Sequence, residues 1–313
     1  MKNLKRIKGD ASFREFFRKR TKNFTSIIVL SKKEKFINLL VYDAINKILI
    51  KNKILAPKLY QENYDKDFLE IQDFGNETFF EILNKKKSNK LYYFKKIIKI
   101  LNQIQKIKDR SVKNFKKKLF TIPKYENKIL IQEVNLFSDW YAKKNLKKND
   151  RYKFVKKYKK ITKELILKLK LKKKVFVHRD FHVSNLMLVN EKIGIIDSQD
   201  ALIGNKAYDL ASLIDDVRLK TSTSLKKKVY KYYISNQKNL NKYQFKNDFE
   251  ILSILRNLKI IGIFTRLSVR DRKKNYLKLI PNAWDLINMR INENDIFKDL
   301  KDLLNQYFKG NIK

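Results

Sequence analysis

The chain has 313 residues, 43% of them hydrophobic, with 74 Lys+Arg against 32 Asp+Glu and a net charge of +42. That length fits about two domains or one domain of two lobes, and so large an apolar fraction excludes wholesale disorder. The absence of cysteine excludes a disulfide scaffold and any thiolate metal site, no apolar run is long enough for a membrane span, and the start, MKNLKRIKGD, lacks a signal-peptide core, so a soluble cytoplasmic protein without membrane partners is expected.

Residues 25–31, TSIIVLS, form a short β-branched run that predicts a buried strand. Over 32–52, Phe36, Leu40, Ala44 and Ile48, flanked by Val41, Ile45 and Leu49, make a helical stripe. After Pro57, residues 58–63 and 67–72 predict a hairpin turning across Asn63–Lys66. The first ~75 residues thus read as a small strand-rich lobe with one helix. Beyond Asp73-Phe74-Gly75 the pattern turns helical, with Leu91, Phe94, Ile98, Leu101 and Ile104 at helical spacing and similar stripes over 127–146 and 151–171. Short apolar strands are expected at 175–177, 186–189 and 193–196, with helices from about 207 to the end. The lysine runs at 85–87, 116–118 and 172–174 read as solvated helix ends or loops.

A pI near 10 is the electrostatic footprint of a nucleic-acid binder. Here the charge is mostly Lys and is spread along the chain, while Lys, Asn and Ile are abundant and Gly and Pro scarce. That skew matches an AT-rich coding bias. Arg, the residue suited to bidentate phosphate and base contacts, is not the one enriched. Specific nucleic-acid binding is therefore not expected. The field favours anionic small molecules such as nucleotides or carboxylated sugars.

The chemistry concentrates in 175–200, VFVHRDFHVSNLMLVNEKIGIIDSQD. His178 and His182, the only histidines, lie four residues apart. A zinc pair of that spacing belongs on a helix with a glutamate base and a third ligand. This stretch lies between strands, has no Glu between the histidines, and reads as a loop. Asp180, Asn185 and Asp197 instead give D-x4-N-x11-D. Phosphoryl transfer is mostly positioning and charge neutralisation. One carboxylate orients the attacking hydroxyl and accepts its proton, while an amide oxygen and a second carboxylate are suitable ligands for magnesium.

HRDFHVSNLM, followed by IIDSQDA and YDLASLIDD, resembles the aminoglycoside phosphotransferase family, and within it the bacterial anomeric kinases of N-acetylmuramate and N-acetylglucosamine. GDASFREFFR at 9–18 resembles that group's phosphate loop, and LRNLKIIGIFTRLSVRDRKKNYLKLIP at 255–281 its C-terminal segment. The resemblance implies an α+β, two-lobed protein-kinase-like fold, with a β-rich nucleotide-binding N-lobe over 1–73 and a larger, mainly helical catalytic and substrate-binding C-lobe over 74–313. It implies ATP and Mg2+ as cofactors, Asp180 as catalytic base, and Asn185 and Asp197 as metal ligands. Asp10, Ala11, Ser12, Phe13 and Arg14 would serve the nucleotide phosphates, with backbone amides nesting around the anion. His178 and His182 would brace the loop, and Asp209 would cap a helix behind it. Asp200 would face the sugar, and Arg256, Arg266 and Arg270 would supply a partner for a carboxylate. Residues 13–20 read locally as a charged helix, whereas the resemblance implies strand-turn-strand. Ser198 stands where the group usually has an aromatic residue, and no lysine lies within TSIIVLS to meet ATP phosphates, which leaves Lys32, Lys33 and Arg14 as alternatives.

The expected function is an ATP-dependent sugar kinase acting on an anomeric hydroxyl in cell-wall sugar recycling. The alternatives are a related kinase of an amino alcohol or aminoglycoside, a basic nucleic-acid binder, and an inactive nucleotide-binding regulator. The oligomeric state is left open.

Overall fold

A computed structural model describes residues 4–7 and 14–312. Asp10, Ala11, Ser12 and Phe13 of the expected phosphate loop lie outside the described residues. Two compact units emerge, one of Met1–Lys124 with Val175–Ile203, the other of Tyr125–Lys174 with Gly204–Lys313. The cuts fall after residues 124, 174 and 203, whereas the lobes expected from the sequence meet after residue 73.

The first unit is built on a five-stranded antiparallel sheet in the order β1-β2-β3-β5-β4. Its strands are β1 (Leu4–Ile7), β2 (Glu15–Arg20), β3 (Thr25–Leu30), β4 (Leu59–Asn63) and β5 (Phe68–Gln72). Residues 15–20 are therefore a strand, as the resemblance implies, and not the charged helix that their local pattern suggests. The cause is tertiary: β1 and β3 pair with both edges of β2 and satisfy its backbone. Phe16 sits opposite Val29, and Arg18 opposite Ile27. Ile27, Val29, Leu69 and Ile71 bury one sheet face together with Leu39 and Tyr42 from the following helical segment.

That segment opens with a π-helical stretch, Phe36–Val41, and continues as α1 (Tyr42–Lys51). The predicted stripe is buried at Leu40, Ala44 and Ile48, whereas Phe36 is exposed. The predicted hairpin is β4–β5, with a bulge between Leu59 and Gln61. Next come α2 (Phe79–Asn84), started by a Thr78–Glu81 capping box, and α3 (Lys90–Ile104). A small hairpin of β6 (Ser111–Lys113) and β7 (Leu119–Thr121) then turns through the 116–118 lysine run.

The chemistry-bearing stretch belongs to the same unit. It consists of the end of β8 (Lys174–Val177), a loop closed by a 3-10 turn at Val183–Asn185, and the hairpin of β9 (Leu186–Val189) and β10 (Lys192–Ile195). Asn190 and Glu191, both at positive φ, make the two-residue turn that suits a twisted hairpin. The chain continues into β11 (Leu202–Asn205). Gly194 is needed in β10, because a Cβ there would come within 2.7 Å of the Phe74 ring.

The second unit is helical: α4 (Asn127–Leu136), a π-helical stretch at Phe137–Ala142, α5 (Lys143–Asn145), α6 (Lys148–Leu167), α7 (Tyr208–Ile214), α8 (Thr223–Ser235), α9 (Lys242–Val269), α10 (Ile280–Ile291) and α11 (Lys298–Tyr307). Long and buried around most of its circumference, α9 forms the unit's axis. Phe137, Tyr141, Phe154, Tyr158, Trp284 and Phe308 form an aromatic cluster. Gly262 lets α9 press against the start of the π-helical stretch, since a Cβ there would lie 2.3 Å from the carbonyl carbon and oxygen of Leu136. Deeper in the unit, buried Asp215 receives Arg290, Lys226 and Ser253. No helix among the described residues is long and apolar enough to cross a membrane.

Candidate active site

Loop 178–185 and turn 196–200 are tied together by hydrogen bonds. The fully buried His178 holds the Ile196 carbonyl through Nε2 at 3.1 Å. The Ile196 amide donates to the Asn185 carbonyl at 3.1 Å. Arg179 donates to the Asp200 carbonyl at 3.2 Å and lies 3.5 Å from its carboxylate. Burial lowers the His178 pKa, while the carboxylates of Asp180, Asp197 and Asp200 oppose the shift. Burial thus favours the neutral ring, and three carboxylates lie within electrostatic reach of it.

Asp180 begins a tight turn. Its carbonyl accepts from the His182 amide at 2.9 Å and from Asn185 Nδ2 at 3.0 Å. Both bonds fix the loop through the Asp180 backbone carbonyl, the second from the Asn185 side-chain amide. His182 is also buried and lies 3.4 Å from Asn185 Nδ2. Neither histidine joins a metal-binding cluster among the described residues.

Asp197 and Arg179 both have left-handed backbones, with φ of 63° and 72°. Such conformations cost non-glycine residues energy and occur where surroundings enforce them, often at functional turns. Asp197 Oδ1 receives Arg14 Nη2 and, at 3.2 Å, Gln199 Nε2. Arg14 also donates to Gln199 Oε1 at 2.9 Å, and Gln199 reaches Asp200 Oδ2 at 3.1 Å. Arg14, the residue just before β2, is thereby joined to the turn that carries Asp197.

Ser198 is fully buried, and its hydroxyl donates to Asn46 Oδ1 on α1 at 2.6 Å. Asn46 in turn donates to the Pro57 carbonyl at 3.2 Å. A polar link to α1 thus occupies the position where the resembled group has an aromatic contact. Sequence reasoning did not find this partner. The cue was the Ser itself, a donor flanked by apolar strands. Tyr42, one turn before Asn46 on α1, has its pKa pushed up to about 12 by burial.

The other expected site residues lie in the second unit. Arg256 is only 4% exposed on α9, and its Nη1 is buried without a hydrogen-bond partner among the described residues. Arg266 is half-buried on the same helix, and burial lowers its pKa. Arg270 ends α9 and pairs with Asp271 at 2.8 Å, a surface ion pair. Lys259, from the same motif, binds Glu133 at 2.7 Å and lies 3.4 Å from the Tyr208 hydroxyl. Asp209 does not cap α7. The N-cap is Ala207, and Asp209 lies fully buried inside the first turn.

An oxygen-preferring divalent cation fits this donor set. Asn185 presents an amide oxygen, and Asp197 presents a carboxylate whose side chain is 34% exposed. Asp180 is partly exposed beside them in sequence, at the start of the stapled loop.

The sequence profile of the phosphotransferase enzyme family matches residues 3–240. A Neisseria meningitidis protein named N-acetylmuramate/N-acetylglucosamine kinase is 28% identical over 87% of this chain and 81% of its own length. A Pseudomonas putida protein of the same name is 26% identical over 98% of this chain and 89% of its own. Among solved structures, the ADP-bound aminoglycoside phosphotransferase APH(2'')-Ib superposes with a TM-score of 0.59 at 16% identity, covering 94% of both chains. That likeness establishes the kinase-like α+β fold.

Proposed function

We propose a specific reaction from one premise: this chain belongs to the phosphotransferase enzyme family. It is a kinase, and its reaction is transfer of the ATP γ-phosphoryl group to the anomeric hydroxyl of N-acetylmuramate or N-acetylglucosamine. The stapled loop supports the chemical part of the reading: His178 binds the Ile196 carbonyl next to Asp197, Asn185 binds the Asp180 carbonyl, and the Asp180 and Asp197 carboxylates both act on the His178 ring. The curated relatives support the sugar, as their names specify these two substrates.

Asp180 orients the C1 hydroxyl and takes its proton as the new O–P bond forms and the bond from Pγ to the β-γ bridging oxygen breaks. Asn185 and Asp197 would hold magnesium, which neutralises phosphate charge when bound. His178 keeps the loop and the metal-binding turn in register without exchanging protons. Asp200, tied to Arg179 and Gln199, would face the sugar.

Arg256 favours the carboxylated sugar. Its guanidinium is buried, with Nη1 lacking a hydrogen-bond partner among the described residues, and a lactyl carboxylate would supply one. The strong basicity also disfavours polycationic aminoglycosides. The experiment is transfer of labelled γ-phosphate from ATP to a panel of N-acetylmuramate, N-acetylglucosamine, choline and an aminoglycoside. Labelling of either amino sugar alone is expected. Labelling confined to choline or the aminoglycoside would overturn the substrate, and magnesium-ATP binding with no product would favour a regulator.

A further inference from the structure

Kinase chemistry needs a cation against the transferred phosphates, yet the inward face of β3 offers only Ile27 and Val29 before reaching buried Ser31. Lys32 and Lys33 follow the strand and are exposed. The helix behind is equally neutral where it approaches Asp197: Tyr42 and Asn46, one turn apart on α1, occupy that face. The acidic residue of that turn, Asp43, is engaged elsewhere, by Lys47 and the Phe115 amide. A missing strand lysine is thus matched by a missing acidic partner on the helix.

The ladder supplies a substitute. Glu15 pairs with Leu30 and Phe16 with Val29, so one residue further along the register Arg14 stands across from Ser31. Arg14 is 7% exposed, packs its guanidinium over the Phe16 ring at 5.3 Å and reaches Asp197 and Gln199. Four residues on, within β2, Arg18 binds Asp73 at 2.6 Å and the Gly75 carbonyl at 2.9 Å, in the segment that follows β5. Residues 14 and 18 are four apart, about 13 Å at roughly 3.3 Å per strand residue. That is about the reach of a nucleotide from base to terminal phosphate.

We propose that Arg14 is the phosphate-binding cation of this kinase, moved one strand across the sheet from where a β3 lysine would stand, and that it holds the Asp197 carboxylate in place until nucleotide arrives. The proposal rests on the nucleotide-binding reading above. A bound triphosphate offers the guanidinium a denser anion than one carboxylate, and Asp197 is then released for its own ligand. Arg is suited to this, since one fork can hold a carboxylate and an amide oxygen at once and later bridge phosphate oxygens.

The test is calorimetric titration of the full chain with magnesium-AMP-PNP and, separately, with AMP. For Arg14→Met we expect at least a tenfold loss of AMP-PNP affinity and less than a twofold change for AMP. Arg14→Gln, which still donates to Asp197, should show the same split, and Arg14→Lys should recover most of the loss. The Gln variant keeps the test valid if the Met variant fails to fold. Equal weakening of both ligands, or AMP-PNP affinity unchanged in a folded neutral variant, would overturn the assignment. A wild-type chain that binds neither ligand would overturn the nucleotide reading itself.

Discussion

Replacing Ser198 by Ala isolates the link between the turn that carries Asp197 and α1. Ser198 is fully buried, Asn46 is 3% exposed, and the hydroxyl donates to Asn46 Oδ1 at 2.6 Å. Removing the donor leaves Asn46 Oδ1 buried, and a buried acceptor left unsatisfied costs about 1–3 kcal/mol. Little cavity volume is created, because one oxygen is lost, so the hydrogen-bond term dominates. Asn46→Leu removes the acceptor as well and also frees the Pro57 carbonyl. In a double-mutant cycle the Ser198→Ala change should therefore cost about 1–3 kcal/mol in wild type and much less in the Asn46→Leu background. Urea denaturation of the four proteins reads this directly. The magnesium dependence of turnover should shift toward higher concentration in Ser198→Ala, since Asp197 adjoins the released serine. A cycle with no coupling, or a stable Ser198→Ala with unchanged magnesium dependence, would refute the link.

Gly262→Ala places a methyl against the Leu136 backbone, which cannot swing aside as a side chain would. Destabilisation at or above the usual ~1–3 kcal/mol of overpacking is expected, read as a lowered melting temperature, and an unchanged one would contradict the close approach. Asp215→Asn tests the buried ion cluster. Burial raises the Asp215 pKa, but Arg290 and then Lys226 outweigh it and hold the carboxyl below its ordinary value. The unfolded chain therefore binds the proton more readily. The stability from this group is fully present above the ordinary aspartate pKa and is lost as pH falls through the lower folded value. The variant should be less stable by about 3–5 kcal/mol at neutral pH, and its deficit should shrink below about pH 4. A deficit independent of pH would contradict the charge pairing.

Much of the fold was legible because its signals are local. The β-branched run of β3, the stripe of α1, the β4–β5 hairpin and the apolar strands around Asp180 each announce themselves through period and turn chemistry. The strand β2 did not. EFFRKR has no strand alternation, and only pairing on both edges makes it one. The π-helical stretches at 36–41 and 137–142 were equally hidden, since their widening is set by what packs against them. At the site, the residue types at 180, 185 and 197 stated their chemistry, because phosphoryl transfer restricts the choice to oxygen donors. The contacts that organise them span long separations. Arg14 and Asp197 are 183 residues apart, and Ser198 and Asn46 are 152 apart. No spacing rule connects such pairs. Asp209 was expected at a cap because it follows Tyr208 near a helix start, but the helix begins two residues earlier than a cap there requires.

The turnover number of Asp180→Asn with N-acetylmuramate at saturating magnesium-ATP tests the central claim most directly. Loss of a positioned general base is worth on the order of 10²–10⁴ in rate, and a fall of that size is predicted with the fold retained. A variant that turns over within a few-fold of wild type would contradict the account.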